Sequence, residues 1–142
     1  MSAIGGVVEG FNFSCGMPVR VADLNYGGHV GNAKLLDYFQ EARVAYLHYL
    51  GGYSELDIGG VGLILPEAHV VYRAEMFLGD ELLVGVRAAE VKKSSFRLEY
   101  RIERDGVVTA EGYTALVAFD YTRRKPTRLP EAVGRELSGS RA

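Results

Sequence analysis

The residues of this chain best suited to chemistry lie in one short stretch and one helix. The stretch is Asn25-Tyr26-Gly27-Gly28-His29-Val30-Gly31-Asn32. Imidazole titrates near neutral pH, so His29 is a candidate proton acceptor, or a residue that shapes the loop through hydrogen bonds. Asn25 carries a neutral amide that can hold a water molecule, and it can equally close an Asx turn. Gly27, Gly28 and Gly31 either let a ligand approach the backbone closely or simply serve a tight turn. A helix follows directly. Its first N–H groups lack intrahelical partners and lie at the positive end of the helix dipole. The Asn32 N–H, with Gly31 beside it, can therefore stabilise an oxygen on which negative charge develops. Glu41, further along the helix, lies at the edge of its apolar face. There it can act as a general base or stand as a solvated helix acid.

The other reactive types read differently. Cys15 has no histidine near it in sequence and suits a packing role. His48 and His69 stand in no metal-ligand spacing, so no metal is expected. Arg43 falls inside the apolar arc of the helix, where a structural ion pair is expected, and Asp23 is placed to brace the loop.

Those residues need elements to position them. Leu35, Leu36, Tyr38, Phe39, Ala42, Tyr46, Tyr49 and Leu50 recur every three or four residues, which predicts an amphipathic helix from about Asn32 to Leu50. Gly51-Gly52 stops it. Val19 and Val21 flank Arg20, which predicts a strand ending near Leu24. After the glycines at 59, 60 and 62 the period becomes two. Val70, Tyr72, Ala74 and Met76 share one strand face, and Leu82, Val84, Val86 and Ala88 share another. Phe96, Leu98, Tyr100 and Ile102 alternate with charged residues as a half-buried strand does. Asp105-Gly106 marks a hairpin, and a last strand runs from Val107 to Tyr121. From Thr122 the chain reads as a polar tail. One apolar-faced helix followed by consecutive hairpins predicts a two-layer α+β domain.

Composition sets the outer limits. The 142 residues suit one domain, with 48% hydrophobic and 24% charged residues in a globular balance. The formal net charge of −2 argues against a nucleic-acid partner. One cysteine cannot form an internal disulfide. No apolar run is long enough for a bilayer, and the first residues lack a basic region followed by an apolar one. A cytoplasmic protein without membrane attachment is expected.

The run from Arg20 to Asn32 resembles the signature of hotdog-fold thioesterases related to 4-hydroxybenzoyl-CoA thioesterase. That signature is an Arg, then Asp-x-Asp or Asp-x-Asn, then Gly-His-Val-x-Asn opening a long helix. Gln40-Glu41-Ala42-Arg43 is similar to the family's helix motif, and Tyr72 with Gly79-Asp80 to its strand-turn motif. Phe119-Asp120-Tyr121 with Arg124-Lys125-Pro126 is similar to its ending. The resemblance covers roughly residues 18 to 130.

It implies a single hotdog domain over 1–142, with a core of about 18–130 and a polar C-terminal tail. A long central helix would be wrapped by a curved antiparallel sheet of five to six strands. It also implies a homodimer or a tetramer (a dimer of dimers) with sites at the subunit interface, and hydrolysis of an acyl-CoA or acyl-carrier-protein thioester without a cofactor. On that reading Asn25 places the water, Glu41 or His29 is the base, and Gly31 and Asn32 hold the carbonyl oxygen. Helix residues such as Tyr38 and Tyr46 line the acyl pocket. Arg124 and Lys125, in the basic cluster with Arg123 and Arg128, are expected to hold coenzyme A phosphates, with Lys92-Lys93 as a rival patch. The chain departs from many relatives in having Asn25 where they have a catalytic Asp, and a neutral amide is neither nucleophile nor base. That departure keeps open a non-catalytic acyl-CoA binder. A hydratase is a third possibility, because Asp23, Asn25 and His29 resemble the Asp-x-Asn-Pro-x-His arrangement of hotdog enoyl-CoA hydratases. Here the Pro is missing and the His stands one residue later.

Overall fold

The computed structural model describes residues 6–140. Six strands form one antiparallel sheet: β1 (Phe13–Pro18), β2 (Gly62–Tyr72), β3 (Glu81–Ala89), β4 (Ser95–Arg104), β5 (Val107–Asp120) and β6 (Lys125–Pro126). The order across the sheet is β1-β3-β4-β5-β2. β6 pairs with the end of β5, at Phe119 and Asp120. The helix α1 (Lys34–Gly51) packs on one face of this sheet, and a short helix α2 (Glu131–Arg135) follows β6. This is the α+β arrangement expected from the sequence.

The helix is held by its apolar face. Leu35, Tyr38, Phe39, Ala42, Tyr46, Leu47 and Leu50 are all buried, against the inward residues Val84, Val86, Leu98, Tyr100 and Ile102 of β3 and β4. Phe39 stacks on Tyr100 with ring centroids 4.3 Å apart. Gly112 of β5, paired with Tyr100, makes room for this contact: a Cβ there would lie 2.8 Å from the Phe39 ring and would also strike the His69 carbonyl of β2. Arg43 is buried as the pattern required. Its Nε donates to Glu55 at 2.9 Å and its Nη1 to the Tyr100 hydroxyl at 3.1 Å. α1 ends at Gly52, whose left-handed φ of 71° lets the Tyr53 N–H reach back to the Leu47 carbonyl.

Several boundaries differ from expectation, each for a local reason. α1 starts two residues late. Gly31, Asn32 and Ala33 instead form a tight turn in which the Lys34 N–H bonds the Gly31 carbonyl. β1 stops at Pro18, and Val21–Asp23 coil into a 3₁₀ turn rather than extending the strand. β2 begins eight residues before the alternation at Val70. Pro66 and a bulge between Ile64 and Glu67 hide it from a period-two reading, and a strand at the sheet edge tolerates both. Ala74 and Met76 lie past β2, in a loop that turns over the start of α1. The tail is not simply polar, because Leu129, Val133 and Leu137 are buried beneath it.

The 3₁₀ turn is fixed by Asp23, which is only 5% exposed. Its Oδ2 accepts the Tyr38 hydroxyl at 2.8 Å and the Arg20 backbone N–H at 3.0 Å. Burial disfavours the charged carboxylate, but these donors and the Arg20 guanidinium outweigh it and hold its pKa below the ordinary Asp value. Such a group adds stability that is complete above the unfolded Asp pKa of about 3.9 and is lost as the pH falls through the lower folded value. We therefore expect Asp23→Asn to trail the native protein in urea midpoint at neutral pH and to close that gap below about pH 4. A gap that does not change with pH would exclude an ionised Asp23 from the stability of the fold.

Candidate functional site

The helix-start loop is a small hairpin. Leu24 and Val30 form an isolated bridge, the Asn25 N–H donates to the His29 carbonyl at 2.9 Å, and the Gly28 N–H returns to the Asn25 carbonyl at 3.2 Å. Gly28 takes φ of 79°, as the residue closing such a turn must. The Asn25 Oδ1 accepts the Gly27 N–H at 2.9 Å, which is the Asx turn that its residue type allows. Its amide nitrogen faces solvent with no partner among the described residues.

A second loop, between β2 and β3, lies alongside and locks the first. The Val30 N–H donates to the Met76 carbonyl at 2.9 Å, the Tyr72 hydroxyl donates to the Val30 carbonyl at 2.9 Å, and His29 bridges to Phe77. Arg104 holds this loop from below through the Glu75 carbonyl, at 2.7 Å, and the Asp80 carboxylate, at 3.3 Å. His29 is thereby placed between acceptors. Its Nδ1 lies 3.3 Å from the Val30 carbonyl and its Nε2 lies 3.4 Å from a Glu75 oxygen. Glu75 has no counterpart in the sequence reading, because nothing in its local pattern places it beside a residue 46 positions earlier.

Backbone donors at the helix start remain open. The Gly31 N–H is turned toward the Asp23 carbonyl at 3.4 Å. The N–H groups of Asn32 and Ala33 make no hydrogen bond to the described residues. Ala33 is the helix N-cap, and its N–H, with that of Asn32 just before it, lies open at the start of α1.

Glu41 lies elsewhere on the same chain. It lines a groove of about 690 Å³ along the outer face of α1, with Arg20, Asp23, Lys34, Asp37 and Val44 among its walls. Asn25 and His29 do not line this groove. Glu41 is exposed, and its Oε2 accepts the Arg20 Nη2 at 2.6 Å. Its other oxygen has no hydrogen bond among the described residues. Tyr38, expected to line a pocket, is fully buried with its hydroxyl on Asp23, and Tyr46 is likewise in the core. Their ring positions on the apolar arc are the reason: the sheet covers that arc. Asp23 is buried with its carboxylate on Tyr38 and Arg20, whereas the His29 ring lies half-buried beside Glu75.

Cys15 is half-buried, and burial, reinforced by the nearby Glu41, pushes its thiol up to about 11. It stays protonated at neutral pH and is no ready nucleophile. Among the described residues no group of three or more His, Cys, Asp or Glu is arranged to hold a metal ion. No helix among them is long and apolar enough to cross a membrane.

The basic residues divide differently from expectation. Lys92 and Lys93, from the β3–β4 turn, line one pocket of about 490 Å³ together with Arg128 and Arg135. The Leu129 N–H on the Lys93 carbonyl, at 2.8 Å, joins the two segments. Arg124 and Lys125 do not line it. Arg124 sits in the exposed β5–β6 turn with a φ of 56°, and Lys125 opens β6 opposite Asp120. The rival patches of the sequence are thus partly one patch in space, without the two residues first favoured.

Comparison with known proteins agrees with this architecture. Residues 19–137 match the model of the thioesterase-like superfamily. An acyl-CoA thioesterase YbgC from Haemophilus influenzae is 28% identical over 129 residues, covering 88% of this chain and 92% of that protein. A 1,4-dihydroxy-2-naphthoyl-CoA hydrolase from Synechococcus elongatus is 29% identical over 118 residues, covering 80% of this chain and 85% of that protein. Among solved structures, a Thermus thermophilus thioesterase complexed with coenzyme A and Zn superposes with a TM-score of 0.79 at 33% identity, covering 92% of this chain and 94% of that one. With its helix-start loop, its single central helix and a family match over most of its length, the chain belongs to the thioesterase-like superfamily.

Proposed function

We propose that this protein hydrolyses an acyl-CoA thioester to the free acid and coenzyme A, with Glu41 as general base. The observation that carries the reading is the pair of unclaimed N–H donors at Asn32 and Ala33, on a loop braced from two sides. Donors fixed before the reaction stabilise the oxyanion of a tetrahedral intermediate without reorganising. The thioester carbonyl would lie on them, and the free Asn25 amide nitrogen would hold the substrate or the attacking water. Relatives named as acyl-CoA and naphthoyl-CoA thioester hydrolases support the substrate class.

The choice of base follows from the hydrogen bonds. His29 is engaged with the two loops, its Nδ1 near the Val30 carbonyl and its Nε2 near Glu75, and it does not line the Glu41 groove. Glu41 keeps one oxygen free, while Arg20 anchors the other. His29 then serves to fasten the helix-start loop to the β2–β3 loop.

We further propose that the site is completed by a second copy of the chain, as a homodimer or a dimer of dimers. The loop donors and the Glu41 groove lie on separate surfaces of one chain, and β2 leaves an eleven-residue edge unpaired among the described residues. Antiparallel pairing of two β2 edges would also bring the Lys92–Arg128 pocket of one protomer to the same end as the helix-start loop of the other. That pocket, rather than Arg124 and Lys125, suits the nucleotide phosphates of coenzyme A.

Three outcomes are expected. Free-thiol release from a panel of short, long and aromatic acyl-CoAs should show turnover on at least one, reduced about 10²-fold in Glu41→Gln. Intact thioester bound without turnover across the panel would instead support a binding protein, as the neutral Asn25 permits. Lys93→Glu with Arg128→Glu should raise KM for the acyl-CoA about tenfold and leave the corresponding acyl-pantetheine unaffected. Equal effects on both would detach this pocket from the nucleotide. Light scattering should give at least twice the mass of one chain, and a monomer with full activity would refute the shared site.

A further inference from the structure

The carboxylate of Asp23 lies beside the Arg20 arm that reaches Glu41 and does not itself touch Glu41. Its Oδ2 takes the Tyr38 hydroxyl at 2.8 Å and the Arg20 N–H at 3.0 Å, and faces the Arg20 Nε at 3.5 Å. The same guanidinium reaches on to Glu41 through Nη2 at 2.6 Å. On its other side, the Asp23 carbonyl faces the Gly31 N–H at 3.4 Å, one residue before the open donors of Asn32 and Ala33. One buried residue thus contacts both the arm that holds Glu41 and the turn that presents the donors.

Pinning the turn does not require a charge. The Tyr38 hydroxyl and the Arg20 N–H need only an acceptor, and a neutral amide oxygen would satisfy them. Burying a carboxylate is costly unless a partner makes use of its charge. The partner here is Arg20, whose side chain is 49% exposed and carries the large rotamer freedom of an arginine. Without Asp23 beside its Nε, that arm could leave Glu41 for solvent. With Asp23 in place, the guanidinium plane is fixed at one end by a buried anion and presents its other end to Glu41.

We propose that Asp23 is a positioning residue for the hydrolysis: it locks the Arg20 guanidinium so that one oxygen of Glu41 is pinned and the other stays open to water. The proposal rests on the reading of Glu41 as the base. It distinguishes the Arg20–Glu41 pair from the other exposed ion pairs of the chain, such as Lys34–Asp37 at 3.5 Å on the same groove, which have no buried anchor.

The test measures kcat and KM on the best substrate of the acyl-CoA panel. Arg20→Gln breaks the arm and leaves the bonds of Asp23 to Tyr38 and to the Arg20 backbone intact, so the fold is not at risk. It should lower kcat about tenfold or more, with KM changed by less than about threefold, because a displaced group costs the chemical step more than binding. Asp23→Asn should do the same, and Arg20→Lys should recover part of the loss. Arg20→Gln combined with Glu41→Gln should be no slower than Glu41→Gln alone, since the two act as one unit. Native kcat in Arg20→Gln beside a slow Glu41→Gln overturns this proposal and leaves the base in place. So does a double variant whose loss equals the product of the two single losses. Native kcat in Glu41→Gln removes the base, and the positioning role with it.

Discussion

The seating of Phe39 between Tyr100 and the bare backbone of Gly112 is the contact on which the rest of this molecule depends. One long helix lying on one sheet has little freedom to compensate for a poor fit, because the short α2 adds only Val133 to the core. Aromatic rings from helix and sheet stack there, and the missing side chain at Gly112 sets how closely the two layers approach. Once α1 is seated, its N-terminus has a fixed place, and the loop that feeds it must close over a fixed distance. The Arg43–Glu55 and Arg43–Tyr100 bonds then set the rotation of the helix, because a buried guanidinium tolerates few orientations.

Chemistry in this chain is consequently a property of termini and loops held by rigid elements. The donors at Asn32 and Ala33 are backbone groups, so their aim is set by α1 and by the Tyr72 and Met76 contacts, with no side-chain rotamer involved. Asn25 fits its place structurally, since its amide oxygen closes the turn. On the proposed reading, the acidic function falls to Glu41, a helix residue whose side chain is exposed and needs support from its surroundings. Loops carrying function on a stiff scaffold are the general rule, and here the stiffness originates in two stacked rings.

Much of the fold was legible in the sequence because it is written in local periods. The helix, the alternating strand from Phe96 to Ile102 and the Asp105-Gly106 hairpin each declare themselves within a dozen residues. So did the misfit of Arg43, a cation in an apolar arc. Other features have no local signature. Pro66 interrupts the reading of β2 because its tolerance depends on an edge position that only the whole sheet defines. The tail looked polar because Leu129, Val133 and Leu137 are spaced among charged residues in a segment too short for a clear period. The site was legible as a set of residue types but not as an arrangement. Tyr38 is expected from the sequence to line a pocket, because a periodicity cannot say which part of an apolar arc the sheet covers. Glu75 beside His29 and Arg20 beside Glu41 are contacts across 46 and 21 positions, made by topology alone. The union of Lys92, Lys93 and Arg128 is of the same kind.

The proline within β2 has a consequence for crowded solution. An exposed strand of eleven residues at a sheet edge is a template on which further copies can stack without limit. Pro66 contributes no N–H, and the adjoining bulge throws the ladder out of phase. An incoming strand can therefore match the stretch from Glu67 to Tyr72 or the stretch before Pro66, but it cannot run straight through both. The same kink that obscured this strand in the sequence makes it a poor seed for fibrils, so the edge can be open to one well-matched neighbour and closed to an endless row of them.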